Sequence, residues 1–233
     1  MDFFETLERR RSIRKFSLDP VPEAVIEKAL DAAILAPNSS NLQAWDFYWV
    51  RTPEAKAALV QACFSQAAAR TAQELVVIVA DFRKWKRSLA PLLRFIEAVK
   101  APKPVISYYQ TLIPLMYRPG LGSVLGMFRA VLAWGTGFFR PVPRVPYTFR
   151  DLQEVAMKSS ALAAENFVLA ISAQGYSSCM MEGFDEHRVR RLLKLPRGAR
   201  ITMVIAVGKE KDLESGTWGP RFRIPREEVI HRI

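Results

Sequence analysis

Residues 9–16 read RRRSIRKF, and the fold assignment begins from this stretch. It holds five cations, one hydroxyl and one aromatic ring within eight positions. Arginine presents a planar fork of donors that suits a dianionic phosphate, and serine adds a neutral donor. Basic runs near a terminus are more common on solvated faces or in nucleic-acid contacts, and at a helix end they also suit the helix dipole. The stretch therefore indicates an anion site only in combination with other motifs.

The composition is that of an ordinary globular chain. Its 233 residues suffice for a domain with a buried core, and half of them are hydrophobic. Cys63 and Cys179 form no CxxC motif, so we expect two reduced, buried thiols. The acidic start of the chain lacks an apolar core, which predicts no secretory signal peptide and a cytoplasmic location. The chain also lacks the long uncharged apolar run that a spanning helix needs.

The positive charge is concentrated in one segment. Residues 83–150 contain twelve Lys or Arg and a single acid, Glu97, so this segment accounts for the whole net charge of +11. It also holds eleven of the aromatic residues and eight of the fifteen prolines. The remainder of the chain is electrically neutral. We therefore interpret residues 83–150 as an insertion with its own role in an otherwise balanced domain that spans residues 1–233.

Hydrophobic periodicity predicts alternating helices and strands outside the insertion. The insertion has no clean period, and its prolines and glycines predict broken structure, with short helical stretches at most. The predicted helices are 2–11, 22–36, 53–67, 151–174 and 186–193, where the third begins at Pro53, ends at about residue 67 and has Gln66 near its end. The predicted strands are 47–50, 75–80, 176–181 and 201–207.

Several common catalytic motifs are absent from the sequence. There is no GxGxxG after a strand, no Walker loop and no GxSxG elbow. His187 and His231 lie in charged neighbourhoods and offer little from which to build a metal site, so we expect none. A polar loop, APNSSNLQAW at residues 36–45, separates a helix from a strand. Its amides and hydroxyls suit either the edge of a heterocycle or the needs of its own turn.

Four motifs together support a family resemblance. RRSIRKF, APNSSNLQAW, MEGFD, and GKE followed by RFRIP occur in the order typical of flavin-dependent nitroreductases, which the chain resembles over about residues 5–82 and 151–230. The resemblance implies an α+β fold with a central, mainly antiparallel sheet wrapped by helices, interrupted here by the basic, aromatic-rich insertion. It also implies a homodimer with FMN bound at each of two interfacial sites.

The resemblance assigns roles to individual residues. Those matching the segments that contact the FMN phosphate and ribityl chain are Arg10, Arg11, Ser12, Arg14, Arg221 and Arg223. Those matching the positions around the flavin ring are Asn38, Ser39, Ser40, Asn41, Gln66, Met180, Met181, Glu182 and Gly183. In this family the loop at 38–41 often comes from the partner subunit. Gln66 matches a position where an amide pairs with the pyrimidine edge, and residues 180–183 match the turn beside N5.

The activity that the resemblance implies is a ping-pong reduction. NAD(P)H delivers hydride to the flavin, and a small planar acceptor such as a nitroaromatic or a quinone then removes it, without a side-chain nucleophile. Two alternatives stay open: an FMN-dependent reductive dehalogenase or ring-modifying enzyme on the same fold, and a membrane-peripheral flavin-binding protein with little turnover.

Three interpretations of the insertion stay open at this point. It can cover the active site and select planar or acidic substrates. It can contact an anionic membrane surface, with its aromatic rings at the headgroups among lysines and arginines. It can bind nucleic acid through stacking and phosphate contacts, although no nucleic-acid-binding motif accompanies the charge.

Overall fold

The computed structural model describes residues 2–118, 120, 123–211, 217 and 219–233. Its strands are β1 (Trp45–Val50), β2 (Glu74–Ala80), β3 (Ser177–Met181) and β4 (Arg200–Gly208). Its helices are α1 (Phe3–Arg9), α2 (Glu23–Ile34), α3 (Pro53–Ala62), α4 (Ala67–Thr71), α5 (Trp85–Ala98), α6 (Lys103–Ser107), α7 (Ile113–Met116), α8 (Val124–Thr136), α9 (Phe149–Ala173) and α10 (Glu186–Leu192).

The four described strands form one sheet in the order β1-β2-β4-β3, and every neighbouring pair is antiparallel. β2 is almost completely buried, as expected for the central strand that its β-branched run predicts. Successive side chains of a strand point to opposite faces. Val77 therefore packs with α3 and α10 on one face, and Val76 packs with α2 and α9 on the other. The α+β fold with an antiparallel sheet between helices is confirmed.

Helix α9 forms the main support on one face of the sheet. It begins with a capping box, in which Thr148 and Asp151 satisfy each other's backbone N–H groups. Phe167 is fully buried between α9 and the sheet. A buried hydroxyl pair, Ser160 and Thr202, joins the helix to β4 at 2.7 Å. The long helix predicted at 151–174 is therefore confirmed, with its first turn two residues earlier.

Two predictions about local structure were wrong. The helix that begins at Pro53 ends at Ala62, and a second helix begins only at Ala67. Phe64 and Ser65 adopt positive φ values of 56° and 49°, which no continuous helix allows, so Gln66 caps a new helix instead of ending the old one.

The insertion is also far more helical than its prolines predicted. Pro102 precedes α6, Pro104 and Pro114 lie in the first turns of α6 and α7, and Pro91 is accommodated within α5. In the first turn of α6 the missing N–H of Pro104 has no intrahelical acceptor to lose, whereas Pro114 follows a π-helical turn at Tyr108–Leu112. Residues 141–147, which include Pro141, Pro143 and Pro146, belong to no helix or strand.

The segment after α1 attaches to the edge of the sheet, and we call residues 10–17 the N-terminal arm. Ile13 N donates to Ser178 O at 3.0 Å, and Ser17 N donates to Lys209 O at 2.8 Å. Ile13 and Phe16 are buried against the sheet, whereas Arg14 is exposed. The burial of Ile13 and Phe16 leaves the two residues between them, Arg14 and Lys15, exposed.

The contact between Phe16 and Gly208 gives a stability prediction. A Cβ on Gly208 would lie 2.8 Å from Phe16 Cβ and Cγ. We expect Gly208→Ala to lower the free energy of unfolding by about 1–3 kcal/mol, because the arm must move or the ring must leave its rotamer. Urea denaturation followed by circular dichroism measures this change.

Gly135→Ala is the matched control, because a Cβ there meets nothing within 4 Å. We expect it to leave the stability unchanged or to raise it by up to about 1 kcal/mol, the helix preference of alanine over glycine. Equal stability of Gly208→Ala and the native protein would contradict the close packing of the arm.

Candidate functional site

Two cavities lie along the arm and the β3 edge of the sheet. The first has a volume of about 590 Å³, and its lining includes Arg9, Arg10, Arg11, Ser172, Tyr176, Ser177, Ser178, Glu210, Thr217 and Gly219. The second has a volume of about 460 Å³ and is lined by Arg14, Gln66, Ala67, Ala68, Cys179, Met180, Met181, Glu182 and Gly183. The arm contributes to both, since Arg10 and Arg11 face the first cavity and Arg14 faces the second.

The first cavity adjoins a cluster of guanidinium groups, which we call the arginine cluster: Arg10, Arg11, Arg221 and Arg223. Two distant parts of the chain meet here. Arg221 donates to Leu7 O at 3.1 Å and to Glu8 O at 2.7 Å, and it also contacts Arg10 O. Arg11 Nη2 donates to Gly219 O at 2.8 Å. These bonds hold the chain after Gly219 against the end of α1.

The arginine cluster carries strong mutual repulsion. Partial desolvation, followed by the positive charges of Arg223, Arg10 and Arg11, lowers the pKa of the Arg221 guanidinium. The group nevertheless stays protonated, as arginine does in proteins. The hydrogen bonds of Arg11, Arg221 and Arg223 go to neutral backbone carbonyls, so these bonds do not cancel the charge of the three groups. A positive potential of this kind attracts an anion.

One donor in the cluster is unused. Arg10 Nε is buried and has no hydrogen-bond partner among the described residues. Its side chain forms an ion pair with Glu165, whose Oε1 lies 3.6 Å from Nε, a distance that is too long for a hydrogen bond. A buried donor without a partner costs free energy, so its presence indicates a missing acceptor. The arginine cluster therefore fits a phosphate group.

The second cavity brings together residues from three separate parts of the sequence. Arg14 comes from the arm, Gln66 from the junction of α3 and α4, and residues 180–183 from the end of β3. Gln66 Nε2 donates to Gly183 O at 2.9 Å and to Cys63 O at 3.1 Å. The Gln66 side chain is half-buried, and its amide bridges two loops.

The polar loop at residues 38–41 does not reach either cavity within one chain. Asn38 Oδ1 accepts a bond from Gln43 N at 2.8 Å, and the Ser40 hydroxyl lies 2.7 Å from Tyr108 Oη. Ser39 N donates to the hydroxyl of Ser159 on α9. Ser40 and Asn41 have positive φ values of 53° and 51°. Inside the chain this loop uses its polar groups for its own turn and for α9.

Ser12 lies beside the site rather than within the lining of either cavity. It forms a parallel bridge with Ser178, and its side chain is exposed. The residues that sequence reasoning missed are those at the start of β3, above all Tyr176 and Ser178, which line the first cavity. Alternation along the predicted strand at 176–181 was the available signal for them, because it marks which residues share a face.

Both cysteines are buried, as expected from the sequence. Burial raises the pKa of the Cys63 thiol from 9.0 to about 11. Burial also raises the pKa of Cys179, although the nearby Arg14 partly opposes this shift. Neither group is a thiolate at neutral pH, so neither has the form that nucleophilic catalysis requires.

The model of the Nitroreductase family matches residues 7–209. The chain belongs to the nitroreductase family. It is 30% identical to protein DrgA of Synechocystis over 213 residues, which cover 91% of this chain and 86% of DrgA. It is 31% identical to an NADH dehydrogenase of Thermus thermophilus over 222 residues, 95% of this chain and 91% of that protein.

A solved structure supports the same fold for this nitroreductase-family chain. A nitroreductase-like protein from Exiguobacterium sibiricum in complex with FMN has a TM-score of 0.72 and 21% identity, and the match covers 100% of this chain and 98% of that one. The chain is therefore an oxidoreductase of the nitroreductase family. The resemblance that the four motifs predicted is confirmed.

The cysteine environment gives a prediction on reactivity. The raised pKa keeps Cys63 protonated in the fold through the neutral range, and ionisation begins only as the pH approaches 11. We expect its native reaction with Ellman's reagent at pH 8 to be about a hundredfold slower than that of an unfolded cysteine. Both thiols should react rapidly once the protein is denatured in guanidinium chloride. Rapid release of the chromophore from the native protein at pH 8 would contradict the burial of these groups.

Proposed function

We propose that this chain is an FMN-dependent oxidoreductase that uses NADH or NADPH to reduce nitroaromatic or quinone-like acceptors by a ping-pong cycle. One observation carries the proposal: Arg14, Gln66 and residues 180–183 converge on one cavity, and the arginine cluster lies beside the adjoining one. These are positions that the family resemblance assigned to the flavin ring and to its phosphate. Two free, buried cysteines also agree with a reducing compartment, and we place the enzyme in the cytoplasm.

The arginine cluster would hold the phosphate end of FMN. Arg10 has an unused buried donor, and forked guanidinium groups match phosphate oxygens well. The Arg221 donors already bind the carbonyls at the end of α1, so this residue contributes positive charge and positions the segment that carries Arg223. Ser12 and Arg14 lie on the same arm and would contact the ribityl chain.

The second cavity would hold the ring end. Gln66 fixes the carbonyl of Gly183 and thereby the turn that follows β3. The backbone at residues 180–183 would then lie along the ring, where its dipoles set the local electrostatic environment. FMN itself supplies the redox chemistry when bound, by accepting a hydride from the nicotinamide and returning it to the acceptor. The protein residues bind and orient the reactants, and the reaction needs no side-chain nucleophile.

We further propose that the active form is a homodimer in which Asn38, Ser39, Ser40 and Asn41 reach the flavin bound mainly by the second copy. Within one chain this loop faces α9 and Tyr108 instead of the two cavities. Several apolar side chains that a second copy would cover are exposed, among them Leu162 on α9 and Phe222 in the tail. These features support a site that is complete only when two chains meet.

Steady-state kinetics of the purified protein test the redox activity. We expect the protein to bind FMN in a one-to-one ratio and to oxidise NADH or NADPH with a quinone such as menadione. Double-reciprocal plots at several quinone concentrations should give parallel lines, as a ping-pong cycle requires. A protein that takes up no FMN would refute the proposal. Removal of halide from a haloaromatic, with no quinone or nitroaromatic reduction, would favour the dehalogenase instead.

The arginine cluster gives a sharper prediction about the cofactor. We expect Arg223→Gln to weaken FMN binding by about tenfold or more, because one charge-assisted bond to the phosphate is lost. The affinity for riboflavin, which lacks the phosphate, should stay the same. Fluorescence titration of the apoprotein with each flavin measures both constants.

Arg226→Gln is the matched control for this experiment. It removes the same charge from an exposed position three residues farther along the same tail. We expect both flavins to bind this variant as they bind the native protein. Equal loss of riboflavin and FMN affinity in Arg223→Gln would show that the residue does not recognise the phosphate.

A further inference from the structure

Helix α8 has its large apolar side chains on the outside. The positions that face the protein carry small residues or a charge: Gly126 and Arg129 are buried or half-buried, as are Ala130 and Ala133. The outward positions carry large hydrophobic groups: Val124, Leu125, Met127, Phe128, Val131, Leu132 and Trp134 are all exposed. A surface helix of a globular protein usually shows the opposite arrangement.

Specific contacts fix this orientation. The segment that contains Tyr147, which we call the strap, crosses α8 at Gly126. A Cβ on Gly126 would overlap the carbonyl of Tyr147, so only glycine allows this crossing. Arg129 donates from Nη1 and Nη2 to the carbonyls of Leu115 and Met116 at the end of α7. A rotation that buried the apolar face would break these bonds and push Met127 or Phe128 into the strap. The exposed face is therefore part of the folded arrangement.

The exposed apolar surface continues beyond the helix. Phe138 and Phe139 follow α8, and Phe139 is 91% exposed. Trp134 packs edge-on against Phe138 with ring centroids 5.0 Å apart, and it is itself 65% exposed. We call the outward face of α8 together with Phe138 and Phe139 the apolar ridge. Contiguous exposed apolar surface of this kind marks an interaction site.

Positively charged residues lie at the C-terminal end of the apolar ridge. Residues 98–150 contain seven Lys or Arg and no Asp or Glu. Arg140 directly follows the two phenylalanines, and the Arg144 guanidinium lies against Gly137 at the end of α8. A helix with apolar and aromatic groups on one face and cations at its borders is suited to the interface of an anionic bilayer.

The length of the helix excludes a spanning arrangement. α8 has 13 residues, which corresponds to about 20 Å and falls short of a hydrocarbon core of about 30 Å. In the part of the chain that the structure describes, no helix is long and apolar enough to cross a membrane. The apolar ridge is suited to lie in the plane of the surface.

We infer that the apolar ridge docks the protein on the surface of a membrane that contains anionic lipids. Trp134, Phe138 and Phe139 enter the headgroup region, and Arg140 and Arg144 contact the lipid phosphates. This inference rests on the insertion alone and is independent of the proposed redox activity.

The other interpretations of the insertion are less well supported by these contacts. None of the described residues that line the two cavities belongs to 83–150, so the insertion does not cover the site of its own chain. Aliphatic side chains such as Leu125, Val131 and Leu132 make up much of the ridge. They offer no stacking surface for bases, on which single-stranded nucleic acid depends.

Vesicle flotation with the full-length protein tests the inference. We expect binding to equimolar phosphatidylcholine and phosphatidylglycerol vesicles at low salt, and weak binding to phosphatidylcholine alone. The double variant Phe138→Ser/Phe139→Ser should reduce the partition coefficient by about tenfold or more, because it removes two rings from the buried face. Arg140→Gln and Arg144→Gln should each reduce it by about fivefold, an effect that high salt abolishes.

Two substitutions outside the insertion serve as controls. Leu18→Ser replaces an apolar residue that is 92% exposed, and Lys28→Gln removes one exposed cation from α2. Both should bind vesicles as the native protein does. Tryptophan emission should shift to shorter wavelength when anionic vesicles are added, and Trp134→Phe should abolish the shift.

Three outcomes would overturn the inference. The first is no binding of the native protein to anionic vesicles at low salt. The second is equal binding by the native protein and the double phenylalanine variant, which would show non-specific attraction of a basic protein. The third combines two results: the native protein does not bind vesicles, and analytical ultracentrifugation shows that the native protein is a dimer whereas the double phenylalanine variant is a monomer. That result would identify a second copy of the chain as the occupant of the ridge.

Discussion

The burial of Ile13 and Phe16 against the edge of the sheet is the contact on which the candidate site depends. These two side chains attach the arm to β3 and β4, and Gly208 leaves room for the Phe16 ring. Ile13 and Phe16 are buried, and Arg14 and Lys15 between them are exposed. The arm then borders both cavities at once. The packing of Ile13 and Phe16 thus determines where the arginines of the arm lie beside β3.

The arrangement of the arginine cluster explains how so much like charge is tolerated. Arg221 and Arg11 donate to backbone carbonyls, which orients their guanidinium groups without neutralising them. The carbonyls of Leu7 and Glu8 belong to the last turn of α1, where they have no intrahelical partner and where the helix dipole favours a cation. The same bonds connect the two ends of the chain. The cluster therefore joins two segments of the chain and also produces a positive electrostatic potential that can attract an anion.

The insertion follows different rules from the rest of the molecule. The central strand β2 is buried on both faces, with Val77 in the cluster of α3 and α10 and Val76 in the cluster of α2 and α9. In α8 small residues and Arg129 face inward because the crossing strap and the end of α7 leave no room for larger groups. Its large hydrophobic residues are consequently on the outside, and the exposed Arg140 and Arg144 follow the helix. The unequal distribution of charge along the sequence was an early sign that this segment has a role separate from the core.

Local chemistry limited what could be foreseen in the insertion and around Gln66. Pro104 and Pro114 suggested broken structure, but a first helical turn tolerates proline, so the segment is largely helical. A continuous apolar stripe suggested one helix from Pro53 to residue 67, yet two residues with positive φ divide it. The residue types at this point do not signal the break, because residues such as Phe and Ser rarely adopt a positive φ and do so here in the context of the folded chain.

The sequence by itself determined the class of the fold, the central position of β2, the long α9 and the four motifs of the nitroreductase family. These follow from short-range periodicity and from residue types in a fixed order, both of which are written along the chain. Only the tertiary structure decided that Arg221 meets α1, that Gln66 holds Gly183, that the loop at 38–41 faces away from both cavities, and that α8 turns its apolar side outward. Each of these depends on which distant segments pack together. The spacing of residues along the sequence does not show which segments will be in contact in the folded protein.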